Sequence, residues 1–363
     1  MTGLLTKRRH IPQHTYKGRV QRDARIDNVR GMLIILVVIG HFLLPLLWSD
    51  TRLIDGIVYL IYVFHMPCFV MLSGYYAKGI IAEGRFRWGK IVQMLWLYFV
   101  FEAVVYITEG MNYGYASLPG RFIYESGAPW YLMSLATWYL TVPVFGRFRG
   151  KRSSAAVVAV MFAAAAFLKY VINISCLFSF DRTLSFFPFF YAGYYTSQRD
   201  LDKYLMSFGS RWIEAAAAVL CLAVLFGAKG PMMKYNLIVY GADYSRFSEE
   251  LYGSLWAVYL IWCCIAMIIS LGLIGVMLNR RMAVITELGK NTLQIYFLHR
   301  PIRDIMEYCG LYQAADPFNR LHVLLLILFS IFLTVILGSG IISGWFGLLR
   351  TVFDPLLEKH NAL

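Results

Sequence analysis

Apolar residues gather in runs of about 20, the length at which a helix crosses a bilayer core, and short stretches carrying Arg, Lys and Gly separate them. The runs fall at approximately 28–48, 53–77, 89–108, 128–146, 153–172, 183–198, 211–228, 251–278, 287–306 and 320–347. Two are weaker: 183–198 is short and contains Pro188, and 287–306 begins beside Lys290 and ends near Pro301. The pattern predicts an all-α fold, a polytopic integral membrane bundle of about ten transmembrane helices. With no internal repeat and no appended soluble domain, the expected organisation is a basic tail over 1–27, one membrane domain over 28–350 and a short tail over 351–363. Near the C-terminus, Gly340 and Gly344 have small-residue spacing, which predicts close helix packing there.

Composition agrees with this reading. The chain is 59% hydrophobic and 15% charged, with a mean hydropathy of +0.58. The net charge of +13 comes largely from the first 25 residues and from short loops, the distribution that membrane orientation requires, and it speaks against a nucleic-acid partner. Arg and Lys at 78–90, 147–152, 199–211 and 280–290 fall on the same side as the tail. Loops 49–52, 109–127 and 173–182 carry one basic residue each, so both termini are expected in the cytoplasm. The longest outer loop, 229–250, is a candidate cover for a substrate entrance. The first 25 residues are basic and polar, with no early apolar core or small-residue cleavage site, so a cytoplasmic arm is expected there rather than a signal peptide. Six cysteines show no metal or redox spacing and read as packing residues.

Ionisable residues inside the apolar runs carry the candidate chemistry. In IDNVRGMLIILVVIGHF, Arg30 and His41 lie eleven residues apart, hence within roughly 20° of one helix face and about 16 Å apart along the axis. Asp27 lies near the same face. Such residues at mid-membrane depth are costly and mark a bundle interior or a wet cavity, although an interhelical hydrogen bond would also explain the histidine. His65 precedes Pro67, with Ser73 and Gly74 following, and its simplest role is to hydrogen-bond around the proline kink. Counting from the hairpin near residue 50 places His65 about 7 Å cytoplasmic of His41. His299 reaches comparable depth in the ninth run, flanked by Asn291, Gln294 and Arg300.

The stretch IDNVRGMLIILVVIGH together with FHMPCFVMLSGYY resembles the signature of the acyltransferase family 3 membrane proteins, an Arg or Lys, ten residues, then His. It looks most like the fucose 4-O-acetylase-like branch, with weaker matches at PWYLMSLATWYL, FFPFFYAGYY and Tyr296–Leu298–His299. The resemblance implies a bacterial plasma-membrane enzyme of about ten helices. It would move an acyl group, usually acetyl, from cytoplasmic acyl-CoA to a carbohydrate hydroxyl on the far side, either on a glycan or on a lipid-linked one. His41 would be the essential histidine and Arg30 its motif partner. Where some members carry two arginines at the start of the third span, this chain has Arg87 and Lys90, and it lacks a proline before Tyr98, leaving the place of Glu102 relative to the site open.

The chemistry fits the residues. Attack of an alcohol on a thioester needs a proton acceptor, which a neutral buried imidazole supplies, and an acyl-histidine intermediate is the other available route. Arg30, Arg85, Arg87 and Lys90 are candidates for the donor's phosphates. Nothing in the sequence singles out oxyanion donors or the acceptor sugar. Trp130, Tyr131, Trp138 and Tyr139 suit sugar stacking, but an interfacial aromatic belt is the commoner explanation. A secondary transporter of a small polar solute would also keep mid-membrane His and Arg, yet it would often show paired inverted halves, which this sequence lacks.

Overall fold

Helices stand at all ten expected places in the computed structural model, which describes residues 23–49, 52–82, 84–115, 127–150, 153–171, 177–227 and 233–351. They begin with α1 (Ala24–Leu43), α2 (Arg52–Tyr76), α3 (Trp88–Tyr113), α4 (Trp130–Phe145), α5 (Ser154–Val171) and α6 (Phe180–Tyr195). Next come α7 (Gln198–Met206), α8 (Phe208–Gly227), the short α9 (Asn236–Val239), α10 (Leu255–Val276) and α11 (Ala283–Lys290). The chain closes with α12 (Thr292–Tyr308), α13 (Leu311–Ala314), α14 (Arg320–Leu337) and α15 (Gly340–Thr351). A two-residue hairpin, β1 (Ile81–Ala82) against β2 (Arg85–Phe86), leads into α3. Most of the basic tail, Arg121, Cys176 and the tail beyond Thr351 lie outside the described residues.

Seven described segments are long and apolar enough to cross a membrane; they contain α1, α2, α3, α5, α8, α10 and α14. At the other three expected places, α4 and α6 have 16 residues and α12 has 17, and each contains a proline. α6 is buried along nearly its whole length, so its aromatic side chains, Phe186, Phe189, Phe190 and Tyr191, form core rather than surface.

Two crossings set the frame, and both depend on glycine. A Cβ on Gly74 of α2 would stand 1.9 Å from the carbonyl oxygen of Phe190, and one on Gly193 of α6 would stand 1.8 Å from that of Met71. The backbones of α2 and α6 therefore touch reciprocally. α1 and α11 meet in the same way, with Gly31 facing the Ile285 carbonyl at 2.0 Å and Gly289 facing that of Asp27 at 1.7 Å. Asn28 reinforces this second contact by donating to the carbonyls of Leu278 and Arg280, both at 2.9 Å.

The C-terminal third differs from expectation in two places. The ninth run is divided into α11 and α12 at Asn291, and the tenth breaks after Leu337. The cause is shared. Gln294 donates to the Leu337 carbonyl at 2.8 Å and Asn291 to that of Gly338 at 2.9 Å, so α12 takes up carbonyls that the end of α14 leaves open. Gly340 and Gly344 correspondingly do not form a packing seam: among the described residues nothing lies within 4 Å of a Cβ placed on either. α15 exposes Ile341, Trp345 and Leu348 and turns Phe346 inward against Phe297. Cys68 and Cys263 are packed in the core, whereas Cys264 and Cys309 are exposed, against the packing role expected of them.

Candidate active site

The crossing with α11 positions the start of α1. Asp23 caps the helix by accepting from the Arg25 amide at 2.9 Å. Arg30 donates to Thr292 Oγ1 of α12 at 2.7 Å and lies 3.8 Å from the buried Asp27 carboxylate. Its guanidinium borders a cavity of about 250 Å³ whose walls are mainly apolar, including Val37, Phe69 and Leu135. Ser73 lines the same cavity, donating to the Phe69 carbonyl at 2.9 Å and hydrogen-bonding with Tyr131. Arg30 and Ser73 are thus brought together.

His41, three turns further along α1, lines a second cavity of about 250 Å³. Met66 of α2 borders both cavities. Arg30 and His41 therefore serve two adjoining chambers, where the sequence suggested a single stripe. The His41 ring stacks on Tyr62, with centroids 6.2 Å apart, and meets His299 edge-on at 4.9 Å. Tyr296 hydroxyl donates to the Ala128 carbonyl and so ties α12 to the chain entering α4, between the two chambers.

The three membrane histidines differ in their bonding. His65 Nδ1 is 2.7 Å from the Ile61 carbonyl and His299 Nδ1 is 3.0 Å from that of Ile295, each one turn back on its own helix. A carbonyl only accepts, so both Nδ1 atoms carry the proton. His41 Nδ1 is buried and has no hydrogen-bond partner among the described residues. The kink role expected of His65 is also corrected. Pro67 frees the carbonyl of Val63, and it is Trp262 Nε1 of α10 that donates to it, at 2.9 Å.

Beside His299, Arg300 joins the wall of the His41 cavity. Its Nε donates to Asp304 at 3.0 Å and its Nη2 to Glu109 of α3, leaving Nη1 with no partner among the described residues. Asp304 is fully buried and also accepts from Arg303 at 2.5 Å and from Thr108 at 3.0 Å. The spacing Arg300, Arg303, Asp304, Glu307 was the available signal for this network, since residues three and four apart share a helix face.

The segment before α10 covers the His41 cavity, and Val239, Tyr240 and Arg246 line it. The long loop thus contributes, through its described part, to the wall of this cavity. Gly241 seats the segment: with φ +80 it turns where an L side chain is strained, and its carbonyl accepts from Ser185 at 2.8 Å. Burial, and then the neighbouring Tyr62, raise the Tyr240 hydroxyl well above its ordinary pKa, so it stays a protonated donor. From α6 come Asp181 and Arg182, following two consecutive left-handed residues, Phe178 (φ 45) and Ser179 (φ 56).

Other expected residues stand elsewhere. Arg85 and Arg87 are exposed at the hairpin before α3 and Lys90 is half-buried; none borders either cavity. Glu102 is buried on α3 and also borders neither. The aromatic group is not an interfacial belt: Trp138 is completely buried with Nε1 on the Thr183 carbonyl, Trp130 lines the His41 cavity, and Tyr131 and Tyr139 line the Arg30 cavity.

Comparison with known proteins accords with this arrangement. Residues 23–340 match the family model described as an acyltransferase domain. The chain is similar to the nodulation protein NolL of Mesorhizobium japonicum, with 24% identity over 311 residues, 80% of this chain and 79% of that protein. It is also similar to NolL of Sinorhizobium fredii, with 29% identity over 189 residues, 46% of this chain and 51% of the relative. No solved structure matches it. With the family model covering almost all of a helical bundle that holds apolar spans and two adjoining internal cavities, the chain belongs to the membrane acyltransferases of acyltransferase family 3.

Proposed function

We propose that this acyltransferase moves an acetyl group from cytoplasmic acyl-CoA to a hydroxyl of an exported or cell-envelope carbohydrate, with His41 as the base. The donor enters the Arg30 cavity, whose apolar walls accept the acyl-pantetheine end while Arg30 meets a phosphate. The acceptor occupies the His41 cavity from the opposite side, and both termini lie in the cytoplasm of a bacterial cell. The observation that carries this reading is the place of His41: it lines a cavity with a buried Nδ1 that has no partner among the described residues, whereas His65 and His299, bound through Nδ1 to their own helix carbonyls, line neither cavity.

In this scheme the acceptor oxygen attacks the thioester carbon as its proton passes to His41. The new C–O bond forms and the carbonyl electron pair moves onto oxygen, where Arg300 Nη1 stabilises it. Arg300 suits this task because Asp304 and Glu109 already fix its orientation, so little reorganisation accompanies the reaction. Collapse then breaks the C–S bond, and His41 returns the proton to the CoA thiolate. The alternative of a secondary transporter has only the mid-membrane charges in its favour. The deciding experiment uses purified protein in detergent and labelled acetyl-CoA. Transfer to a carbohydrate, or slow hydrolysis without one, is expected; inertness toward acetyl-CoA would remove the proposal.

A further inference from the structure

We infer that His299 is the positioning residue for His41: its Nε2 accepts the Nδ1 proton of His41 and so presents His41 Nε2 to the acceptor hydroxyl. This rests on the reading of His41 as the base and adds the group that orients it.

Two buried imidazole nitrogens lack a hydrogen-bond partner among the described residues, His41 Nδ1 and His299 Nε2. They belong to rings in contact, which meet edge-on with centroids 4.9 Å apart and planes at 73°. Their proton requirements are complementary. His299 Nδ1 gives its proton to the Ile295 carbonyl at 3.0 Å, so Nε2 of the neutral ring is a lone pair and can only accept. In His41 the buried nitrogen is Nδ1, which leaves Nε2 to meet a substrate in the cavity that the residue lines. A neutral imidazole that receives a proton on Nε2 already carries one on Nδ1, so His41 Nδ1 is a donor. A buried donor and a buried acceptor each cost free energy when left alone, and on adjoining rings they satisfy each other.

Other neighbours of His41 suit the task less well. Tyr62 covers the face of the imidazole, with planes 15° apart, whereas the N–H lies in the ring plane. His65 packs on Tyr62 at 4.8 Å. Arg300, on the cavity wall, offers only donors. His299 itself lines neither cavity, is fully buried and is tied to its own helix, so its lone pair is fixed before any substrate arrives. Hydrogen bonds to a catalytic base commonly tighten only in the substrate complex, and the ring contact is placed to close in that way. As the acceptor oxygen bonds the thioester carbon, its proton passes to His41 Nε2. The resulting imidazolium keeps its Nδ1 proton, directed at His299 Nε2, and later returns the Nε2 proton to the CoA thiolate. No proton crosses to His299, which stays neutral throughout. A base oriented by a third group is the general logic of such sites.

The test uses the full chain in detergent, with hydrolysis of labelled acetyl-CoA as the activity probe. His299→Phe keeps a ring and removes the acceptor, whereas His299→Gln supplies an amide oxygen near the place of Nε2. His299→Phe should lower kcat tenfold or more, the scale of one hydrogen bond to a charged group, with acetyl-CoA affinity by calorimetry and melting temperature unchanged. His299→Gln should recover most of that loss. Nitrogen NMR on histidine-labelled protein reads the tautomer directly, with the His41 signal assigned by its disappearance in His41→Gln. The proton should sit on His41 Nδ1 in the unsubstituted protein and spread over both nitrogens in His299→Phe. An unchanged kcat in His299→Phe, equal losses in the two variants, or a His41 proton found on Nε2 would overturn the inference; the last needs no variant to fold. The NMR is scored without turnover. A His41 tautomer that depends on His299 in a protein inert to acetyl-CoA loses only the acyl-transfer reading, and an active enzyme whose His41 tautomer ignores His299 loses only this inference.

Discussion

An imidazole is inexpensive to bury when its own helix supplies a carbonyl, and His65 and His299 both use that arrangement. His41 has no such bond from Nδ1 and lines a cavity, which neither of the other two does. His41→Gln, which keeps hydrogen-bonding capacity without a usable base, should reduce acetyl transfer at least about a hundredfold while leaving acyl-CoA affinity unchanged; near-normal turnover would return the residue to a structural role. Arg30→Ala should have the complementary effect, weaker acyl-CoA binding in a folded protein, measured by calorimetry with acetyl-CoA. Arg30 and His41 were legible in the sequence because a spacing of eleven keeps two residues on one face. Arg182 and Arg246 were not, since a loop arginine looks the same whether it follows the positive-inside bias or reaches into a cavity. Both line the wall, Arg182 just after the left-handed pair Phe178 and Ser179 and Arg246 a few residues after the turn at Gly241.

Helix positions followed from hydropathy almost without exception, because burying a backbone in hydrocarbon forces every polar group into an intrahelical bond. How helices meet was not legible in the same way. Gly340 and Gly344 had the spacing of a packing seam but face open space, while Gly74 and Gly193, in different helices 119 residues apart in sequence, form one crossing. Spacing within one helix cannot reveal a contact completed by another. Gly74→Ala and Gly193→Ala should each destabilise the protein by about 1–3 kcal/mol, the usual cost of forcing atoms into a filled interior, read as a lower melting temperature in detergent. Gly344→Ala, with nothing nearby, should leave the melting temperature unchanged. The ion cluster on α12 is more demanding. Asp304→Ala removes the buried carboxylate that Arg300 and Arg303 share, leaving them only Glu109 and Glu307, and should cost about 3 kcal/mol, with activity falling further than melting temperature alone explains because Arg300 Nε loses the contact that aims it.

At the scale of the whole molecule, the described bundle holds two adjoining cavities, one for each substrate of the proposed reaction. A reporter fused after Leu363 should be inaccessible from outside intact cells, as expected for cytoplasmic termini; labelling from outside would reverse the direction in which the donor and acceptor enter. Met66 lines both cavities, and in the proposed reaction it screens the donor thioester from water while no acceptor fills the His41 cavity. Met66→Ala should therefore raise acetyl-CoA hydrolysis in the absence of acceptor. The same partition governs the kinetic order. Two substrates with separate chambers do not compete for space, so both can be bound before any bond changes, and no stable acyl-enzyme has to outlive the departure of CoA. Initial-rate plots at several fixed acceptor concentrations should intersect, as for a ternary complex, and parallel lines would instead show that His41 carries the acetyl group between two half-reactions.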